Sequence, residues 1–510
     1  MNFNLSKSSY CNGVQCEKML WLNKYRKDLK PKKEGNTIDN GNKVGEFAKG
    51  LFGKNVDVPY DDNRQKMVEK TRGFLDNNCK IITEASFLYE NNFCRVDIFK
   101  NDVDGVEIYE VKSSTNIRMN KGKGKLKKHY VDDISYQYYI LSNLGFNIKK
   151  ACLVYINNQY VKGSKDVKEE LDSFFNIEDI TAHVKDKQDE IAYTISRINE
   201  FMSIYGPENE PLSELSPNCF SPYECAYWGY CTRNLPKPNV FDIKAKMHTS
   251  TKFKKYNKGK ISFEDLQYET DLNSKYLEQI DFELNDKKPK IDKEIIKALL
   301  DSLKYPLYFI DYESYNTPIP EVEGTTPFQQ LPFQYSLHIL KDENTEEYEH
   351  KEFLAEYDDP DFVRHFAESM ISNLQENGSI IVYNQQFEKS NINDKLAVMF
   401  PDLKEEIERI NSNIVDFMKP FENRNYYTKE MEGSYSIKYV LPALYPDDPE
   451  LDYSKLEGVH NGQEAPEAFL RLKNESPEEQ IKTRKNLLDY CKLDTWAMVK
   501  IYEKFKEVIK

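Results

Sequence analysis

"EIYEVKSS" occupies residues 107–114, and its alternation decides how the front half of the chain is read. In an extended strand successive side chains point to opposite faces, so Glu110 and Lys112 share one face while Val111 takes the other. A carboxylate and an ammonium together on a core strand are either paired with each other or arranged to hold something. Upstream, ASFLYENNFCRVDIF (85–99) reads as two β-rich runs joined at Glu90-Asn91-Asn92, with Asp97 on the second run. Downstream come a turn at Asn101–Gly105, the strand itself, a basic loop, an amphipathic helix in DDISYQYYILSNLG (132–145) and a further strand in ACLVYIN (151–157). Two acidic oxygens on adjacent hairpin strands suit a hard Mg²⁺ or Mn²⁺ ion that holds a phosphate, and a lysine beside them orients a water or stabilises the developing charge.

Composition limits what such a site serves. The chain has 510 residues, 39% of them hydrophobic and 31% charged, with 35 Tyr and 28 Phe, which is the balance of a folded protein long enough for two or three domains. No apolar stretch approaches the ~20 residues of a membrane span, and the start lacks the apolar run of a signal peptide. The expectation is a cytoplasmic protein with reduced thiols and no membrane partner. A net charge of −14 argues against non-specific coating of nucleic acid. Basic character is local, in KYRKDLKPKK (24–33), KGKGKLKKH (121–129) and KFKKYNKGK (252–260).

The order D-(x12)-E-x-K, helix, strand resembles the PD-(D/E)xK nucleases of the RecB type, in particular the iron–sulfur branch that includes the CRISPR-associated RecB-like exonucleases. The resemblance implies Asp97 and Glu110 as metal ligands and Lys112 as the catalytic lysine. It also implies a role for Gln137, which matches the glutamine of the family's Q-x-x-x-Y element, although position 141 is Leu. The family's early-helix histidine has no counterpart in GNKVGEFAKGLF (41–52), since the first histidine of the chain is His129. Glu46, away from the Val44/Phe47/Ala48/Leu51 stripe, is either a substitute oxygen ligand or a solvent-facing residue.

Of nine cysteines, four group by spacing: Cys16 in QCEKMLWL, and Cys219, Cys225 and Cys231 in NCFSPYECAYWGYC. In a reducing compartment such a group suggests metal before disulfide. The upstream cysteine completes the set only if the two ends of the domain meet, which is the arrangement of the iron–sulfur RecB-like nucleases around a four-iron cluster. Zinc is the rival occupant. Cys11 is an alternative to Cys16, while Cys79, Cys94, Cys152 and Cys491 sit singly in apolar contexts and read as core.

NLPKPN (234–239) ends this part, and residues 236–300 read as a charged helical connector. Beyond it, YPLYFIDYESY (305–315) is an apolar strand bearing Asp311 and Glu313 on one face, and PFQQLPFQYSLHIL (327–340) reads as its neighbour. SIIVYN (379–384) is another strand, continued by a helix in QQFEKSNINDKLA (385–397) that carries Glu388. RKNLLDYCKLDTWAMVKIYEKF (484–505) is a long amphipathic helix on which Tyr490 and Asp494 share a face at i and i+4. Four acids with a tyrosine one turn before the last resemble the DnaQ-like exonucleases of the ribonuclease H fold, in the DEDD class whose last motif is Tyr-x-x-x-Asp. That resemblance implies Asp311, Glu313, Glu388 and Asp494 as ligands of two divalent ions and Tyr490 as the residue that orients the attacking water. Glu388 departs from the family's usual Asp. GSYSIKYVLPALYP (433–446) looks like a motif of a group of bacterial proteins that join both halves, and Ser434, Tyr435 and Lys438 are read there as a buried turn or a pocket for a nucleic acid end.

The expectation is therefore an α/β protein with a PD-(D/E)xK restriction-endonuclease-like domain at 1–235 stapled by an iron–sulfur cluster, a connector at 236–300, and a ribonuclease H-like DEDDy exonuclease domain at 301–510. The expected substrate is single-stranded DNA or a duplex end, with RNA as the alternative, and the rival function is non-catalytic nucleic-acid binding.

Overall fold

The computed structural model describes residues 4–31, 37–120, 123–163, 167–212, 214–244 and 246–510, the side chains of 37–39 and 167 excepted. Residues 32–33 and 121–122, parts of two of the basic runs, lie outside the described residues. The chain is a mixed α/β protein that divides into two units. The first comprises Met1–Asn234 with Thr317–Phe328, and the second Leu235–Asn316 with Gln329–Lys510. The expected connector, 236–300, thus groups with the second unit. Its own small core, built on Val240, Ile243, Phe263, Leu266 and Ile280, explains why it is more than a tether. Among the described residues no helix is long and apolar enough to cross a membrane.

The first unit is built on a seven-stranded sheet of β1 (Leu5–Ser6), β2 (Val56–Asp57), β3 (Ile81–Tyr89), β4 (Asn92–Asp102), β5 (Gly105–Lys112), β6 (Ile148–Ile156) and β7 (Phe175–Asp179). The order is β2-β3-β4-β5-β6-β7, with β1 added in parallel beside β4. β3 and β4 form the expected hairpin, closed at Glu90, which takes a left-handed conformation (φ 51°). β4 and β5 are antiparallel, and the chain reaches the parallel β6 through the helix Lys128–Asn143. That helix buries Ile134, Tyr136, Ile140 and Leu141 against a core shared with Leu20, Trp21, Phe87, Phe99 and Ile198. Helices Lys7–Gln15 and Glu17–Tyr25 join at Cys16, the last cap of one and the first of the other.

The second unit is built on a sheet of β9 (Leu307–Tyr315), β10 (Leu331–Leu340), β11 (Glu349–Leu354), β12 (Ser379–Val382) and β13 (Ile414–Asp416), after a short β8 (Lys290–Ile291) that pairs with β14 (Tyr426–Tyr427). The order is β11-β10-β9-β12-β13, antiparallel on the β10 side of β9 and parallel on the other. Alternation then assigns the faces. Tyr312 and Tyr335 meet Phe366 of the helix Phe362–Asn373 at 5.4 and 5.5 Å between ring centroids. On the opposite face Phe309 packs with Tyr502 of the 33-residue C-terminal helix Pro477–Ile509 at 5.7 Å. That helix opens with a capping box between Ser476 and Glu479. The parallel pairing of β9 with β12 depends on Gly378, where any Cβ would stand 1.9 Å from the carbonyl oxygen of Pro306.

Candidate functional site

In the first unit the β4–β5 pair ends where the expected residues stand. The carboxylate of Asp97 accepts from the backbone N–H of Val111 at 2.7 Å, which draws it beside Glu110. Glu110 is 2% exposed and accepts from Lys112 at 2.9 Å, from Gln137, and from Lys7 at 2.8 and 3.0 Å. Lys112 also pairs with Asp133, which accepts from the Cys11 thiol at 2.8 Å. Burial works against the Glu110 charge, but Lys112 and Lys7 hold its carboxyl down to about 2. Asp97 is pushed up to about 7 by burial and by the Glu110 charge. Asp97, Glu110, Lys112 and Gln137 are thus brought together. Glu46 is not: it points to solvent, paired with Lys49 at 2.6 Å.

The reading of the sequence missed Lys7, Asp133 and Glu84. Lys7 lies 103 positions from Glu110 and is placed by the pairing of β1 with β4, for which nothing local gives a sign. Asp133 precedes Gln137 by one helical turn, so the 3.6-residue period places both on one face. Glu84 occupies a left-handed position (φ 57°) at an interruption of the β3–β4 pairing, and its charge adds to the rise of the Asp97 pKa.

Cys16, Cys219, Cys225 and Cys231 line one cavity of about 190 Å³. The ends meet through Gln15, whose side-chain amide donates to the carbonyls of Asn218 and Tyr223, both at 2.8 Å. Cys225 N–H donates to the Cys219 carbonyl at 2.7 Å, which closes the loop between them. Burial raises the thiols of Cys219 and Cys231 and pushes Cys225 up to about 11. Cys11 points elsewhere, to Asp133.

In the second unit Asp311 and Glu313 leave the same face of β9, the face crossed by the C-terminal helix. Among the described residues Asp311, Glu313 and Asp494 are the only set of three or more His, Cys, Asp or Glu side chains whose ligand atoms all lie within 4.8 Å of one another. Burial and mutual repulsion raise Asp311 and Glu313 well above the usual carboxylate range. Burial also raises Asp494, but the hydroxyls of Tyr453, at 2.6 Å, and Tyr490 donate to it and limit the rise to about 6. Glu388 is 2% exposed, is raised by burial and by the Asp311 charge, and has one oxygen without a hydrogen-bond partner among the described residues.

The expected helix around Glu388 is wound instead as a π-helix, Gln386–Asn393, before an α-helix at Asp394–Met399. Its start is pinned by Asp416 at the end of β13, which accepts from the backbone N–H groups of Asn384 and Gln385 at 3.1 and 3.2 Å. The wider turn inserts a residue where the side chain must reach inward. Tyr453 was not anticipated, because it opens a three-residue 3₁₀ helix, Tyr453–Lys455, 41 positions from Asp494. Lys438 is close enough to Glu313 and Asp494 to counter their rise.

Both acid sets have the donor chemistry of a hard divalent cation. In the second unit three carboxylates crowd together and one Glu388 oxygen has no hydrogen-bond partner among the described residues, with Lys438 near enough to offset part of the charge. In the first, the Lys7 ammonium on both oxygens of Glu110 stands where a cation would bind. The cysteine cavity offers four thiols, the donors of either a thiolate-held zinc ion or an iron–sulfur cluster.

A family model described as a domain of unknown function, DUF2779, matches residues 308–436. An uncharacterized protein of Mycoplasma genitalium is 27% identical over 233 residues, 42% of this chain and 34% of its own length. Its homolog in Mycoplasma pneumoniae is 28% identical over 242 residues, 44% of this chain and 36% of its own. The match thus spans about a third of the length of these curated relatives. No solved structure matches.

The raised carboxyls set a pH dependence. Unfolded carboxyls titrate near 4, whereas Asp494 does so at about 6 and Asp311, Glu313 and Glu388 are also raised in the fold. Between those values the folded protein holds protons that the unfolded chain has released, so stability is present at acidic pH and lost as pH rises. The lowered His338 and His350 act in the opposite direction over the same range, so the site is read from the difference between variants: without metal, the Tm of Asp494→Asn minus that of wild type should rise from pH 5 to pH 8, and Mn²⁺ should raise wild type more at pH 8 than at pH 5. A difference that does not change over this range contradicts the assignment.

Proposed function

We propose that the protein is a metal-dependent nuclease acting on single-stranded DNA or DNA ends, with its principal hydrolytic site at Asp311, Glu313, Glu388 and Asp494. The observation that carries the reading is the convergence of Asp311, Glu313 and Asp494 within 4.8 Å, Glu313 buried and the two aspartates partly so. Mg²⁺ or Mn²⁺ held there would polarise the scissile phosphate and lower the pKa of a water. The chain supplies the rest. Tyr453 and Tyr490 donate to Asp494 and keep it chargeable near neutral pH, and Tyr490 would orient the attacking water, as the DEDDy resemblance implies. Lys438 offers a positive charge beside the acids for a phosphodiester. This set agrees with the DEDDy resemblance.

The first unit is proposed as a second nuclease site of the PD-(D/E)xK type. Asp97 and Glu110 would hold the ion there in competition with Lys7, Gln137 fixes the Glu110 carboxylate, and Lys112 is the cation beside the phosphate. Four cysteines on one cavity support an iron–sulfur cluster, in agreement with the RecB-like resemblance, with zinc as the rival occupant. Such a cluster would tie helix Lys7–Gln15, and with it Lys7, to the far end of the unit.

Single-stranded DNA labelled at either end, incubated with Mn²⁺, tests the assignment. Wild type should release short products that vanish with EDTA, and Asp311→Ala should slow the principal ladder by at least about 100-fold. Lys112→Ala should remove a separate ladder and leave the principal one. Full activity of Asp311→Ala, or cleavage that survives EDTA, rejects the reading, and the same ladders on RNA alone would move the substrate to RNA. Protein purified without oxygen should carry iron and acid-labile sulfide in equal amounts, about four of each per chain, and Cys16→Ala should lose both. One zinc and no sulfide contradicts the cluster.

A further inference from the structure

The loop that closes the cysteine cavity also reaches the acid site of the first unit. Glu110 and Lys112 line a cavity of about 730 Å³, and the same lining includes Asn218, Ser221, Pro222 and Tyr223. Of these, Tyr223 is 64% exposed. Its place is nevertheless fixed. The Gln15 side-chain amide donates to the carbonyls of Tyr223 and Asn218, and the Cys225 N–H closes the loop on the Cys219 carbonyl.

A single exposed tyrosine is ordinary on a protein surface, but this one ends a row of rings. His129 meets Tyr223 with ring centroids 5.7 Å apart and planes at 70°. On its other neighbour, Tyr130, the centroid distance is 4.3 Å. The Lys112 ammonium stands over the Tyr130 ring, 5.0 Å from its centroid. Aromatic surface therefore runs from the lysine of the acid site to Tyr223, which His129 braces while most of the ring stays open to the cavity mouth.

Charge does not select the occupant here. Three lysines and three carboxylates line the cavity, and the carboxylates are matched already: Glu110 by Lys7 and Lys112, Asp133 by Lys112, Asp132 by Lys128 and Lys187. Burial lowers the His129 pKa, so that ring adds no charge at neutral pH. What the mouth of the cavity offers beyond this balance is a braced aromatic face. We propose that Tyr223 is a base-stacking residue of the first unit, on which an unpaired base of a single strand lies while the adjoining phosphodiester reaches Glu110 and Lys112. The proposal rests on the reading of this cavity as a nucleic-acid site and adds the residue and the substrate class. Every base has a π-face, so the contact tolerates any sequence. In a duplex that face is taken up by the neighbouring bases, so the contact favours single strands.

Binding is measured apart from hydrolysis, with an oligodeoxyuridylate carrying 5-iodouracil and the full chain in Ca²⁺. Irradiation should cross-link the strand to Tyr223, located by mass spectrometry of the peptides. Tyr223→Ala should weaken the unmodified strand at least about fivefold, and Tyr223→Phe should restore it, because the ring and not the hydroxyl makes the contact. Tyr193, 69% exposed and outside this cavity, is the control, and Tyr193→Ala should bind as wild type does. Hydrolysis is scored separately as the ladder that Lys112→Ala removes. Absence of that ladder would reject the nuclease reading of this unit and leave the cross-link and the affinity change to decide on Tyr223. Cross-links that avoid Tyr223, or equal affinity of wild type and Tyr223→Ala, would overturn the proposal whatever the hydrolysis shows.

Discussion

Like charges crowded in a buried place are the constraint from which the second unit takes its meaning. Asp311, Glu313 and Asp494 meet within 4.8 Å, where burial and mutual repulsion oppose ionisation. A fold does not bring three carboxylates together for stability, because each charge costs desolvation and repels its neighbours. The sheet, the long helix across it and the π-wound turn at Glu388 all serve to hold this arrangement. The close approach at Gly378 fixes the β9–β12 pair, packing of Phe309 on Tyr502 fixes the helix, and Asp416 fixes the turn. Tyr453 and Tyr490 lessen the conflict without removing it.

The first unit resolves a similar problem in the opposite way. Glu110 is as buried as Glu388, yet Lys7, Lys112 and Gln137 satisfy it and its carboxyl is depressed, while Asp97, held by one backbone N–H beside the Glu110 charge, is raised. Lys7 is carried by the helix that ends at Cys16, so the state of the cysteine cavity and the position of this ammonium share one rigid element of nine residues.

Much of this was legible in the sequence where the signal was local. Alternation placed Glu110 with Lys112 and Asp311 with Glu313, and helical spacing placed Tyr490 with Asp494. The four grouped cysteines were legible from the expectation that the ends of the domain meet. What stayed hidden depends on tertiary pairing. Lys7 reaches Glu110 only because a two-residue strand adds to β4, and Tyr453 lies in a 3₁₀ helix of three residues, too short to show a period. The π-helix was hidden because its sequence also suits an α-helix, and the wider winding is set by the anchor at Asp416. The connector was read as separate because its helices are short and charged, yet seven buried apolar side chains give it a core of its own.

The most direct test of the central claim is calorimetric titration of Mn²⁺ into metal-free protein near pH 6, repeated in buffers of different ionisation enthalpy to count protons released. Carboxyls that are raised and crowded must lose protons as the ion binds. The account predicts release of about one proton or more per ion in wild type, sharply reduced together with affinity in Asp494→Asn and Asp311→Asn. Binding without proton release, or binding indifferent to both substitutions, would contradict it.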